Sequence, residues 1–144
     1  MKNDWIYSAT ELWEVYHMKV LLIVGDTLLR ERLLGGLQER IPGVEVIEVT
    51  TLEKGKLSFI ENGDIRVVVV ELSAMNGAVS FVRELREQYR FPGVIVGMAL
   101  WDEDREALQE AGCDCVCKRS NLLKVLPGLL KRTESERQNV APTA

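Results

Sequence analysis

The chain predicts an α/β fold: a doubly wound, five-stranded parallel sheet with helices on both faces. Three observations carry that expectation. Short runs rich in valine and isoleucine recur at Val20–Val24, Val44–Val49, Val67–Val70 and Val94–Val96, with a shorter one at Cys115–Cys117. Between and after them lie stretches long enough for helices, at Leu28–Arg40, Leu52–Asn62, Ala78–Tyr89, Glu103–Ala111 and Leu122–Arg132. Most of the strand runs are apolar on both faces, which requires helices on both sides of the sheet. Repeated strand–helix units with short, right-handed connections leave few topologies, and a flavodoxin-like sheet is the favoured one.

Taken in order, each element has its own punctuation. The first helix contains Gly35-Gly36, which costs about 1 kcal/mol per glycine relative to alanine and implies close packing of that helix on the sheet. Pro42-Gly43 ends it, and the second strand, carrying Glu45 and Glu48, is polar enough for a sheet edge. Pro92-Gly93 separates the third helix from the fourth strand. Asp102 is positioned to cap the fourth helix and Gly112 to end it, while Ser120 is positioned to cap the fifth. Pro127-Gly128 predicts a kink or break inside that fifth helix.

The flanks differ from this repeating scheme. In residues 1–17, Trp5, Ile6, Ala9, Leu12, Trp13 and Tyr16 share one face at helical spacing, and Ser8 with Glu11 fits a capping box. Three readings stand for this aromatic extension: a helix folded on its own domain, a dimer or partner contact, or an upstream addition without function. Residues 18–132 form the expected domain. Residues 133–144, TESERQNVAPTA, hold almost no large apolar side chains and predict a disordered tail or linker.

Composition bounds the function. With 144 residues, 47% hydrophobic and 28% charged, the chain is one ordinary globular domain. Its 18 basic and 22 acidic residues leave a net charge of −4, which argues against nucleic acid or an anionic membrane as the main partner. No apolar run approaches the roughly 18 residues of a membrane span, and the start lacks the pattern of a signal peptide. Three cysteines make no disulfide framework, so a cytoplasmic setting is expected. His17 is the only imidazole, which removes histidine-pair mechanisms, and no phosphate-binding glycine motif follows a strand. The alternating Cys113, Cys115 and Cys117 would share one face of a strand. Core packing is the favoured role, since residues two apart in a strand suit neither a shared zinc nor a disulfide.

Several segments together resemble the receiver domain of bacterial response regulators, over roughly Lys19–Arg132. KVLLIVGDTLLRERLLGGL is similar to the first strand and helix, VVVVELSAMNG to the third strand and acceptor loop, VIVGMA to the fourth strand, and EAGCDCVCKRS to the fifth. The resemblance implies phosphoryl transfer from a histidine kinase to an aspartate, with magnesium held by an acidic pair after the first strand. Position by position, that chemistry is missing. The acidic pair falls on Val24 and Gly25, and Asp26, one place later, serves only if the register slips. Glu71 stands at the phospho-acceptor position, one methylene longer than aspartate, and Met98 replaces the switch hydroxyl. Ser73–Gly77 is two residues shorter than the usual loop, and the fifth strand carries no aromatic. Lys118 alone matches, although it stands one residue too near Ala111-Gly112.

The resemblance therefore implies a degenerate receiver, or pseudo-receiver. A Glu71–Lys118 ion pair across the fourth strand is expected at the carboxyl edge of the sheet, either imitating an activated receiver or simply neutralising two leftover charges. Asp26 and Lys118 are what remain of the acidic pocket. The leading expectation is a non-enzymatic, bacterial signalling module without cofactor that works by protein contact or dimerisation. Its contact surfaces are the 103–132 region, where Leu122, Leu123, Val125, Leu126, Leu129 and Leu130 exceed one buried stripe, and the 5–16 helix. The alternative is an atypical receiver in a phosphorelay, binding magnesium through Asp26 and Glu71.

Overall fold

A computed structural model describes residues 18–71, 77–99 and 102–129. The aromatic extension 1–17, residues 72–76 of the short loop, 100–101, and 130–144 with Leu130 and the tail lie outside the described residues. The strands are β1 (Lys19–Ile23), β2 (Glu45–Val49), β3 (Ile65–Glu71), β4 (Val94–Met98) and β5 (Cys115–Cys117). They form one sheet in the order β2-β1-β3-β4-β5, and every pairing is parallel. This is the flavodoxin-like order. Valine and isoleucine fill β3 and β4 because both sheet faces are covered, and every residue of β4 is buried. Glu45 and Glu48 place β2 at an edge, as its polarity demands.

The helices are α1 (Thr27–Arg40), α2 (Leu52–Glu61), α3 (Ala78–Glu87), α4 (Asp102–Ala111) and α5, described over 122–129. Leu29, Leu33 and Leu37 of α1 join Leu122 and Leu126 of α5 over one face of the sheet. Phe81, Val82 and Leu85 of α3 join Leu108 of α4 over the other, with Leu52 and Phe59 of α2 packed against them. Asp26 caps α1 by accepting from the Leu29 amide at 3.2 Å, and Thr51 caps α2 by accepting from the Lys54 amide.

Several local expectations change. Gly36 does permit close packing, but against α5: an added Cβ would run into the Leu123 side chain, not the sheet. Asp102 lies inside the first turn of α4 beside Glu103 and Asp104, where carboxylates favour the helix dipole. Ser120 sits within a 3₁₀ turn, Arg119–Asn121, that precedes α5. Helix continues through Pro127 and Gly128 to residue 129, without the predicted break. Cys113 precedes β5 and packs on the face opposite Cys115 and Cys117, so the three thiols do not share a side. The apolar residues of α5 turn inward: Leu122 and Leu126 are fully buried, and Leu123, Val125 and Leu129 pack against the same core. Among the described residues the exposed large apolar side chains are instead Leu28, Leu57 and Ile60.

Candidate functional site

The carboxyl ends of the strands bring the predicted positions together. Glu71, Met98 and Cys117 stand side by side in one row of the sheet, the last residues of β3, β4 and β5. Met98 and Glu71 are both buried, and Glu71 is the one fully buried charged residue among those described. A carboxylate in such a place requires a cation or proton donors to offset its lost hydration.

The cation is Arg119. Its guanidinium forms an ion pair with Oε2 of Glu71, and its Nη1 lies 3.8 Å from Oδ2 of Asp26. The expected Glu71–Lys118 pair does not form, and Lys118 is exposed. The reason lies in the backbone: β5 ends at Cys117, Lys118 points outward at the start of the turn, and Arg119 opens the 3₁₀ turn that leads back over the sheet edge. One signal in the sequence anticipates this. Lys118 is one residue too near Ala111-Gly112, whereas Arg119 stands at the spacing the resemblance requires. The contact is direct, from Nη2 of Arg119 to Oε2 of Glu71, with no intervening side chain.

Asp26 is the outer member of this arrangement. One oxygen caps α1, and the other approaches Arg119, with the side chain about half exposed. A second arginine closes the first-strand side. Arg30 donates from Nη1 to the Val24 carbonyl at 3.0 Å, and its Nε lies 3.5 Å from Oε1 of Glu48. Nothing in the residue pattern marks Arg30, because its hydrogen bond goes to a backbone oxygen and its ionic partner, Glu48, lies on β2.

These residues do not fit the magnesium that such a sheet edge holds in active members of the resembled family. Val24 and Gly25 offer no side-chain oxygen, and magnesium needs several hard ligands in near-octahedral array. Asp26 and Glu71 already share the Arg119 cation, so a divalent ion between them would stand against a guanidinium. Among the described residues no group of three histidine, cysteine, aspartate or glutamate side chains is placed to hold a metal. The cysteines are free thiols; burial pushes Cys113 up to about 12 and Cys117 up to about 11. Cys113 and Cys117 are therefore neutral packing groups at physiological pH.

No protein-family model matches the chain, and no curated protein does. Solved structures do. A two-component response regulator from Clostridium difficile superposes with a TM-score of 0.68 at 21% identity, over 83% of this chain and 97% of that one. An orphan response regulator of H. pylori gives 0.64 at 22% identity, over 81% and 95%. A two-component response regulator/GGDEF domain protein gives 0.70 at 21% identity, over 85% of this chain and 52% of the other, so this chain spans about half of that protein. The fold is that of a receiver domain. In the receiver fold Glu71 closes the third strand, Met98 the fourth, and Arg119 follows the fifth. Among the described residues no helix is long and apolar enough to cross a membrane.

Proposed function

We propose that this chain is a receiver-type signalling module without phosphoryl chemistry, working by contact with a protein partner or a second copy. The observation that carries the proposal is the buried Glu71 carboxylate held by Arg119, beside a first-strand end that offers only Val24 and Gly25. Phosphoryl transfer depends almost wholly on positioned charge and an in-line approach to an exposed acceptor. Here the acceptor position is inaccessible, its charge is already matched, and Met98 presents a thioether where a hydroxyl would bind a phosphoryl oxygen. The module has no catalytic residues and no cofactor. Its setting is a bacterial two-component pathway in the cytoplasm, by analogy with the response regulators whose fold it shares. Its contact face is the 103–132 region, through the exposed side of α4 rather than through the inward-turned leucines of α5.

Titrating the full chain with magnesium in a calorimeter, alongside Glu71→Gln, tests this. No saturable heat is expected from either protein. Saturable binding that Glu71→Gln abolishes would overturn the proposal in favour of an atypical receiver that recruits Asp26 and Glu71 as metal ligands.

A further inference from the structure

The opposite, amino edge of the sheet carries a second feature, independent of the Arg119–Glu71 pair. A cavity of about 480 Å³ lies between the end of α2, the start of β3 and the segment after α3. Its apolar lining is Phe59, Ile60, Ile65, Tyr89, Phe91 and Pro92. Phe59 meets Tyr89 and Phe91 edge to face, with centroids 5.6 and 5.2 Å apart, so the aromatic wall is already ordered by its own contacts. Ile60, 55% exposed, lies on its rim, and Leu57, one helical turn earlier, is 60% exposed. Two large apolar side chains left in water beside an aromatic cavity form a surface that requires a cover.

We infer that residues 5–16 of this same chain are that cover, with the Trp5, Ile6, Ala9, Leu12, Trp13 and Tyr16 stripe seated in the groove. Three observations select this occupant. First, the described chain begins at Met18, and Lys19 pairs in register with Ile65 while its Nζ bonds Asp64 at 3.0 Å. Both Asp64 and Ile65 line the cavity, so the start of β1 is paired with a strand that borders the groove. Second, a twelve-residue helix is roughly 18 Å long, enough to run from that junction across the cavity toward Leu57. Third, the signs of charge match. Residues 5–16 carry Glu11 and Glu14 and no basic side chain, and the groove side carries Arg66 and exposed Arg90, with Asp64 already paired to Lys19. A cavity of this size takes bulky aromatic groups, and each indole buries roughly 150–250 Å². Intramolecular seating also needs no partner concentration, because the segment is tethered to β1, the neighbour of a strand that borders the groove.

The full chain carrying Trp101→Phe tests the inference, since Trp5 and Trp13 are then its only indoles. Their emission is expected at short wavelength, shielded from acrylamide and unchanged by dilution. Ile60→Glu or Leu57→Glu should shift the emission to the red and raise quenching several-fold, with circular dichroism unchanged because both sites are exposed. Leu28→Glu, an exposed apolar site at the opposite edge, should leave it unaltered. As a reciprocal probe, Trp13→Glu should speed amide exchange across 59–66 and 89–93 only. Indoles already exposed in the parent, emission indifferent to both groove substitutions, or unchanged exchange in Trp13→Glu would overturn the inference. Shielding that disappears on dilution would overturn it too, assigning the stripe to a second copy.

Discussion

Without Arg119, the carboxylate of Glu71 would stay in the core with no cation to balance it. Breaking a buried pair from one side costs about 3–5 kcal/mol, and Arg119 is partly exposed, so Arg119→Ala should cost about 2–3 kcal/mol. Urea unfolding at neutral pH measures it. Lys118→Ala should fall within about 0.5 kcal/mol of the parent, because that side chain points into water. Replacing both members of the pair, as in Glu71→Met with Arg119→Met, should recover much of the loss, since no buried charge remains. The buried thiols make a pH prediction of the opposite kind. Cys113 and Cys117 are raised in the folded protein, to about 12 and about 11, from an ordinary value of 9.0. The unfolded chain therefore releases their protons first as pH rises, and stability must fall. Their contribution is intact below pH 9.0 and is lost progressively as pH climbs toward those folded values. At pH 8, which lies below that window, a thiol reagent should modify the buried Cys117 only as fast as the protein opens.

Among the elements, one side chain ties three of them together. Arg86 of α3 donates to the carbonyls of Gly112, Phe91 and Gly93 at 2.8–2.9 Å and pairs with Asp114 at 2.7 Å. Asp114 also accepts from the Ile95 amide at 2.8 Å, so α3, the start of β4 and the turn before β5 share one network. Gly112 must lack a side chain there, because its φ is +126° and a Cβ would strike Arg86. Arg86→Lys cannot reproduce the planar fork and should cost about 2–4 kcal/mol, with Asp114→Asn less damaging because the Ile95 amide keeps an acceptor. Thermal unfolding of both variants checks the order. Nothing in the sequence marks Arg86, since three of its four partners are backbone oxygens. The strands, by contrast, were legible because a doubly covered sheet demands apolar residues on both faces, and the two glutamates of β2 identified its edge. The 3₁₀ turn at Arg119–Asn121 was not, and that one turn decides which cation faces Glu71. Strand alternation stops at Cys117, and beyond it a side chain's direction depends on turn dihedrals that residue types do not encode.

At the scale of the whole molecule, the two edges of one sheet carry different features. The carboxyl edge holds Glu71 and Met98 at strand ends and Asp26 at the cap of α1, with Arg119 paired to Glu71. The amino edge carries the aromatic groove. Legibility followed the same division: strand ends position site residues by topology alone, whereas the closing contact needed three dimensions. The central claim, that the Arg119–Glu71 pair replaces phosphoryl chemistry, is tested most directly by intact-mass spectrometry. The full chain would be incubated with magnesium and a small acyl phosphate donor, next to Glu71→Gln. Neither protein is expected to gain mass. A stoichiometric phosphoryl adduct on the parent that Glu71→Gln removes would contradict it.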